Sequence, residues 1–350
     1  MGDQANGRAD LGLPQGFFSA AGGCCPTCGS TAWLSAGFAC SRASQGAFPV
    51  RQCSVCGLKG LAKPEAPQMS ERRYSGRYYA QVEVRPPWRT RFKRQLETSD
   101  QRAAGWLKSK FFIGWLPKPT QPGQYMLDIG CGAGQVLDRA RSLGWVAEGC
   151  ELSDATAQAA RRKGYTCYTD NWSEQLPARR YHLVVMSNVL EHLLEPGPYL
   201  SAVARGLRAD GIALITLPNF GSAQAAAFEG KWWALLPPEH IWYYHLEHVT
   251  AVLRTAGLAV AAVRLQSHVS GVLNPSTIRL QWQTYRRHRG STGGFVWQYA
   301  LSLLGAPCPV ARAPEAPGRS KGHAEHLKNL ASRRVIARSP LYTLECRLLG

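Results

Sequence analysis

The chain has 350 residues, of which 45% are hydrophobic, so it can bury a large core and form one large domain with an appendage, or two domains. It has 41 Lys and Arg and 23 Asp and Glu, a formal net charge of +18, which is compatible with binding to an anionic partner. No run of about twenty apolar residues could span a bilayer, and the polar start MGDQANGRAD is unlike a signal peptide, so we expect a cytoplasmic protein without a membrane span.

Two cysteine pairs near the amino terminus have metal-binding spacing. They are Cys25 with Cys28 and, 24 residues later, Cys53 with Cys56. Each pair is a CxxCG knuckle, and two such knuckles at this separation fit a tetrahedral zinc site whose four protein ligands leave no position for chemistry. Redox disulfides or coincidence are the alternatives. We predict a flexible start at residues 1–20 and a structural zinc ribbon at residues 21–62.

Basic residues concentrate on both sides of the central segment. From Gln124 to Ala262 there are 11 Lys and Arg and 13 Asp and Glu, a net charge of −2, so the rest of the chain carries +20. We predict a basic linker or helical cap at residues 63–123 and a helical extension at residues 266–305. Basic flanks with aromatic residues can bind nucleic acid or a polyanionic carbohydrate, but no nucleic-acid motif accompanies them. Nucleic acid is therefore an open but not a favoured partner, and a solvated basic surface is the alternative.

The segment LDIGCGAGQ, from Leu127 to Gln135, predicts a nucleotide-cofactor site. An apolar strand ends near Asp128, a GxGxG turn follows, and the next residues, GQVLDRARSLG, have helical spacing up to Gly144. Glycines let the backbone approach a ligand closely. A second strand, WVAEGCEL, then ends in Glu151, whose carboxylate can accept both ribose hydroxyls. An NAD enzyme would have this carboxylate too.

Two later segments, HLVVM and IALITL, are continuously apolar, as in strands covered on both faces of a parallel sheet. Between them we predict a turn and a helix that stops at Gly211. The glycine turn, with Asp128 two residues before its first glycine, resembles motif I of the class I S-adenosylmethionine-dependent methyltransferases. The later block resembles that family's "leH" turn and its strand ending in "PN", although His182 stands where the family usually has Asp.

The resemblance covers about residues 124 to 262 and implies a doubly wound, Rossmann-like α/β methyltransferase domain at residues 124–265, with S-adenosylmethionine as cofactor. It implies cofactor contacts from Asp128, Gly130, Cys131, Gly132, Gly134, Glu151, Leu152, Asp170, Asn188 and Val189. Asp170 and Asn188 follow the third and fourth strands, where we expect the adenine and methionine ends.

Two histidines are candidate bases for a hydroxyl acceptor, whose proton must be removed during transfer. His192 follows Glu191 at the carboxyl end of its strand; alternatively it orders the turn or contacts cofactor and substrate. The segment KWWALLPPEHIWYYHLEH resembles a family loop that caps the acceptor pocket, and its His240 could act instead. Its aromatic residues form either an apolar or sugar-stacking wall or ordinary lid packing; they are Trp232, Trp233, Trp242, Tyr243 and Tyr244. No metal is expected at His240, His245, His248 and Glu239, because no HExxH pattern is present.

The segment after Cys53 resembles the linker of methyltransferases that carry an amino-terminal zinc ribbon, many of them from sugar and surface-polysaccharide pathways. This implies a small-molecule or saccharide acceptor, with O-methylation favoured. One alternative is an adaptor that binds nucleic acid or polysaccharide through the ribbon and basic flanks, with little or no catalysis; another is an NAD-dependent sugar-modifying enzyme. The sequence does not indicate an oligomeric state.

The carboxyl-terminal part, residues 306–350, lacks periodicity over most of its length and reads as a linker or disordered tail with a late strand. The family resemblance implies a seventh, antiparallel strand. Two segments could supply it: RVIARS and LYTLECRLL.

Overall fold

The computed structural model describes residues 23–41, 46–64, 116–169, 171–265, 275–287, 293–298 and 341–349. Its strands are β1 Trp33–Cys40, β2 Ala47–Cys53, β3 Lys59–Leu61, β4 Tyr125–Ile129, β5 Val146–Cys150, β6 Thr166–Tyr168, β7 Tyr181–Ser187, β8 Leu207–Pro218, β9 Trp242–Tyr243, β10 Leu258–Leu265 and β11 Leu341–Leu348. Its helices are α1 Gln135–Leu143, α2 Asp154–Arg162, α3 Trp172–Gln175, α4 Pro196–Gly206, α5 Ala223–Phe228, α6 Leu246–Thr255 and α7 Pro275–Arg287. The predicted linker at residues 63–123 lies largely outside the described residues.

The larger sheet has seven strands in the order β10-β11-β8-β7-β4-β5-β6. Strand β4 pairs in parallel with both β5 and β7, and β5–β6 and β7–β8 are also parallel. The chain runs outward from β4 to β6 and then returns to β7 on the other side of β4. This confirms the predicted doubly wound fold, in which ligands bind at the carboxyl ends of the strands where the direction reverses.

The predicted end of α1 is confirmed, and the predicted end of α4 is wrong. Helix α1 stops at Gly144, which has a left-handed φ of 101° and donates its N–H to the carbonyls of the last turn. Helix α4 ends at Gly206 rather than Gly211, because Leu207 already pairs with Tyr181 of β7. A Cβ at Gly211 would lie 2.8 Å from the Tyr181 carbonyl oxygen, so this segment packs tightly against the sheet.

The antiparallel strand of the sheet is LYTLECRL, one of the two predicted candidates; RVIARS lies outside the described residues. Strand β11 inserts between β8 and β10 and is antiparallel to both. The Thr216 and Thr343 hydroxyls form a buried hydrogen bond of 2.7 Å across β8 and β11. The carboxyl-terminal strand is therefore an interior element of the sheet.

A second sheet of four strands has the order β1-β2-β3-β9. Its first three strands are the predicted ribbon, whereas β9 belongs to the segment predicted to cap the acceptor pocket. Ribbon residues Val50 and Leu61 share one apolar cluster with Trp232 and Tyr243 of that segment. The ribbon is therefore packed onto the segment that includes Trp232 and Tyr243.

Helix α7 falls within the predicted helical extension and contacts the capping segment. Its Gln281 accepts a hydrogen bond from the Trp233 backbone N–H at 2.9 Å and donates to the Lys231 carbonyl at 2.8 Å. Among the helices that the structure describes, none is long and apolar enough to cross a membrane.

Candidate functional site

The glycine turn after β4 has a backbone that side chains would not tolerate. Gly130, Gly132 and Gly134 have φ values of 76°, 54° and 84°, all in the left-handed region. A Cβ at Gly130 would lie only 2.7 Å from Val189 Cγ2. The turn therefore needs glycine for conformation at all three positions and for space at Gly130.

Glu151, directly after β5, turns its carboxylate toward this glycine turn. Its Oε2 accepts a hydrogen bond from the Gly132 N–H at 2.9 Å, and its Oε1 accepts one from the Ser153 N–H at 3.0 Å. The next residue, Leu152, is 41% exposed, which is unusual for a leucine beside a buried strand end. A fixed carboxylate with an exposed apolar side chain beside it suits the ribose and the base of a nucleoside.

Asp128 lies in β4 beneath the turn and is almost fully buried. Burial, together with the smaller effect of the negative charge of Glu151, raises the pKa of Asp128 to about 8. Cys131 is also buried, and its Sγ lies 3.6 Å from Cys167 Sγ. These side chains form the floor under the turn.

Asn188 and Val189 follow β7, on the other side of β4. Asn188 has a left-handed φ of 53° and donates its backbone N–H to the Thr216 carbonyl at 2.8 Å. Val189 packs over Gly130, as described above. The residues predicted to contact the cofactor thus lie at the carboxyl ends of β4, β5 and β7, with the exception of Asp170, which lies outside the described residues.

The two candidate bases come together although they are far apart in sequence. His192 ends a 3-10 turn, Leu190–His192, after β7, and its Nδ1 is 2.8 Å from the Glu239 carbonyl oxygen. His240 Nδ1 is 2.8 Å from the Ala234 carbonyl oxygen. The two imidazole rings meet edge to face with centroids 4.6 Å apart. Because a carbonyl only accepts, each Nδ1 carries a proton in these two contacts.

Glu191 joins these histidines and was not predicted from the sequence. Its Oε1 lies 3.8 Å from His240 Nε2, and both carboxylate oxygens are buried without a hydrogen-bond partner. Burial raises the pKa of Glu191 to about 8 and lowers the pKa of His192 to about 4. The His192 imidazole is therefore neutral at pH 7. The position of Glu191 in the "leH" turn was the signal that could have identified it.

A small cavity lies beside Glu191 and His240. Its aromatic wall contains Phe220, Trp232, Trp242, Tyr243 and Tyr244, and its remaining lining residues are Leu217, Pro218 and Ala234. Trp233, predicted for the wall, does not line this cavity, and its Nε1 donates to Gln224 Oε1 at 3.0 Å. Phe220, which follows the "PN" end of β8, was missed.

Two groups of metal-ligand type occur among the described residues. One is Glu191, His192 and His240, whose ligand atoms lie within 4.8 Å of one another. The other is the cysteine cluster. His248, considered with His240 in the sequence, instead has its Nε2 2.9 Å from the Cys56 carbonyl oxygen.

The four predicted cysteine ligands converge on one point. Cys25 Sγ is 3.5 Å from Cys56 Sγ, and Cys28 Sγ is 3.5 Å from Cys53 Sγ. Tetrahedral zinc with Zn–S bonds of 2.3 Å requires sulfur atoms about 3.8 Å apart. Each knuckle closes through the N–H of the glycine that follows it, and each glycine has positive φ. The thiol donors and their spacing therefore fit zinc.

Comparison with known proteins gives a family model and curated relatives. Residues 93–263 match the model of a methyltransferase domain. A ubiquinone biosynthesis O-methyltransferase of Bradyrhizobium sp. is 27% identical over 158 residues, 39% of this chain and 62% of that enzyme. An enzyme of the same name from Caulobacter vibrioides is 31% identical over 169 residues, 45% of this chain and 66% of that enzyme. The chain thus spans slightly less than two thirds of the length of these relatives.

A solved structure, a SAM dependent methyltransferase from Archaeoglobus fulgidus, aligns with a TM-score of 0.42 at 14% identity, over 70% of this chain and 93% of that chain. The domain match agrees with the doubly wound sheet, the glycine turn after β4 and the acidic residue after β5. Residues 93–263 therefore form a methyltransferase domain with the sheet of the class I, S-adenosylmethionine-dependent enzymes.

Proposed function

We propose that this protein transfers the methyl group of S-adenosylmethionine to a hydroxyl oxygen of a small molecule. The observation that carries the proposal is the cluster of Glu191 and His192, on the turn that follows β7, with His240 of the capping segment, beside an aromatic-lined cavity. The curated relatives, which are named as O-methyltransferases, support oxygen as the acceptor atom.

The cofactor contacts follow from the strand ends. We assign the ribose hydroxyls to Glu151, because its carboxylate is held in place by two backbone N–H groups. Leu152 presents an exposed apolar side chain for the adenine ring, and the turn at Gly130 and Gly132 allows the backbone to approach the methionine portion. When bound, S-adenosylmethionine supplies a methyl group on a sulfonium, which is already an excellent leaving group.

The protein must then align the acceptor and accept its proton. We assign the proton to His192, because it lies on the turn after β7, its ring is held by the Glu239 carbonyl through Nδ1, and burial keeps it neutral at pH 7. His240, held between the Ala234 carbonyl and Glu191, is the second candidate base and contacts the cavity directly. Correct alignment supplies most of the acceleration in such a transfer, and a base adds about 10²- to 10⁴-fold.

The cavity has a volume of only about 10 Å³, room for about one water molecule, so a ring-shaped acceptor would enter only if the capping segment moved; its aromatic lining is the basis for the acceptor class. Flat aromatic side chains stack on sugar rings and on aromatic rings alike. We propose a sugar or another small metabolite that has a ring face and a hydroxyl group. The alternative of a nucleic-acid or polysaccharide adaptor receives no support from the comparisons.

We further propose that the cysteine cluster holds one structural zinc ion. The four thiolates complete its coordination, so this zinc stabilises the ribbon and takes no part in the transfer.

Calorimetric titration of the purified protein tests the cofactor, with S-adenosylhomocysteine and NAD as the two ligands. We expect micromolar binding of S-adenosylhomocysteine and no binding of NAD. The reverse result would indicate that the protein is an NAD-dependent enzyme. A screen with radiolabelled methyl donor, comparing phenols with reducing and nucleotide-linked sugars, then identifies the acceptor. Labelling of nitrogen compounds alone would contradict O-methylation.

A further inference from the structure

The ribbon and the segment that caps the cavity form one sheet. Strand β3 pairs with β9 so that Lys59 opposes Tyr243 and Gly60 opposes Trp242. The Leu61 N–H also donates to the Ile241 carbonyl at 2.9 Å. Because β9 begins two residues after His240, the ribbon is bonded directly to the backbone that carries this histidine.

Trp242 bridges the ribbon and the turn that carries His192. Its ring lies against Gly60, where a Cβ would be 2.5 Å from Trp242 Cε3. Its Nε1 donates to the Leu193 carbonyl at 3.0 Å and to the Leu194 carbonyl at 3.2 Å. The same indole also lines the cavity. A shift of β3 would therefore be transmitted to the cavity wall and to the residues that follow His192.

A second link starts at the cysteine knuckle itself. The Cys56 carbonyl accepts a 2.9 Å hydrogen bond from Nε2 of His248, a buried residue at the end of the capping segment and in the first turn of α6. A third link is Arg51 of β2, which is 1% exposed and places its guanidinium 4.1 Å from the Trp33 ring centroid and 5.4 Å from the Trp242 ring centroid. Three contacts of different kinds thus connect the ribbon to the capping segment and its helix.

We propose that the cysteine ribbon is the outer wall of the acceptor site, and that Trp242 and His248 are positioning residues that make this site depend on the ribbon's metal. The inference rests on the proposed methyltransferase and zinc functions. A three-strand unit whose β3 has three residues cannot bury enough apolar surface to hold its own fold, so metal binding supplies that stability. Loss of the metal should release β3, then β9 and His240.

The cofactor turn is anchored elsewhere. The Gly130 and Cys131 N–H groups both donate to the Cys150 carbonyl, at 2.8 and 3.0 Å, within the large sheet. Loss of the metal should therefore leave cofactor binding unchanged. This separation distinguishes a wall of the acceptor site from general unfolding.

The test compares the full chain before and after removal of its metal with a chelator. Hydrogen exchange, followed by mass spectrometry, is measured on peptides that cover residues 239–245 and residues 126–136, and the Kd of S-adenosylhomocysteine is measured by calorimetry. We expect exchange in residues 239–245 to become at least about tenfold faster, with residues 126–136 and the Kd unchanged within about threefold. Unchanged protection of residues 239–245, a parallel loss at both peptides, or protein that contains no metal as purified would overturn the inference.

Paired variants keep the test independent of chelation. His248→Gln retains a donor for the Cys56 carbonyl, whereas His248→Ala does not; Trp242→Phe retains the ring against Gly60, whereas Trp242→Ala does not. We expect the two alanine variants to have an acceptor KM raised at least about tenfold, with a smaller change in kcat. The His248→Gln and Trp242→Phe variants should have an acceptor KM close to that of the wild type. Equal losses in both members of each pair would overturn the positioning role. Protein that binds no S-adenosylhomocysteine at all would instead contradict the methyltransferase function.

Discussion

Glu191 and His240 face each other beside the cavity, where His240 Nε2 lies 3.8 Å from Glu191 Oε1. The His240 side chain is 6% exposed and the Glu191 side chain is 2% exposed. An ionised carboxylate at this depth without a hydrogen-bond partner would be costly, and burial accordingly raises the pKa of Glu191 to about 8. Because His192 lies edge-on against His240, the three side chains form one contiguous group beside the cavity.

Substitution of the two histidines should separate proton removal from acceptor binding. We expect His192→Ala to lower kcat by about 10²- to 10⁴-fold with little change in the Kd of S-adenosylmethionine, since the base acts only as the proton leaves. His240→Ala should mainly raise the acceptor KM. Steady-state kinetics with calorimetry measure both. If kcat falls only in the His240 variant, we would conclude that His240 on the capping segment, and not His192, removes the proton.

The acid limb of the pH profile should lie unusually low. Burial lowers the pKa of His192 to about 4, so its basic form is retained as the pH falls and is lost only near that value. We expect kcat, measured over the range in which the protein remains folded, to stay level from pH 7 to about pH 5, below the pKa of about 8 of the neighbouring Glu191. A decline centred near pH 6.5 would indicate an imidazole of ordinary pKa as the base.

Gly132→Val should abolish cofactor binding without changing the metal content, because the turn requires positive φ where the backbone meets the ligand. Gly164→Val is a matched control: Gly164 also has positive φ, and a Cβ there would meet no atom within 4 Å. Its strain should lower stability by about 1 kcal/mol or more while S-adenosylmethionine still binds. Calorimetry on both variants provides the comparison. Micromolar affinity in the Gly132 variant would refute the assignment of the turn.

Cys53→Ser should lower the zinc content well below one atom per chain and loosen the ribbon, since one thiolate of four is lost. Cys24→Ser is the control, because Cys24 is exposed and lies outside the knuckle spacing. Elemental analysis of protein purified without chelator measures the content. Absence of zinc from the wild type would overturn the site. A second metal equivalent that disappears in His240→Ala would show that the Glu191 cluster also binds metal.

Asp128 should make the stability of the protein decrease with increasing pH. Its folded pKa, raised to about 8, exceeds its ordinary value of 3.8, so its contribution is fully present below pH 4 and is lost as the pH rises through 8. The slope is at most about 1.4 kcal/mol per pH unit. In denaturation at pH 5 to 8, Asp128→Asn should gain stability relative to wild type as the pH rises. A constant difference between the two proteins would show that Asp128 is ionised throughout.

The sequence predicted the parts of the site that depend on local structure. A strand, a glycine turn and a helix follow one another directly from Tyr125 to Leu143, and Glu151 marks the end of the next strand, so their geometry is encoded within about thirty residues. The contact between Glu191 and His240 depends on a segment that folds back over the sheet. The hydrophobic periodicity of the sequence predicts local helices and strands and gives no information about such a contact. The pairing of β9 with β3 was hidden for the same reason, since β9 has two residues and its partner lies far away in the chain.

The interior position of β11 has a consequence for synthesis of the protein. Strands β8 and β10 are made first, but each keeps an open edge until Leu341–Leu348 is available to pair with both. At a synthesis rate of about 5–20 residues per second, the interval between the end of β10 and the start of β11 is on the order of 4 to 15 s. An open strand edge can pair with a strand of another chain. The edge of β8 is therefore exposed to such mispairing until β11 pairs with it and the hydrogen bond between Thr343 and Thr216 forms.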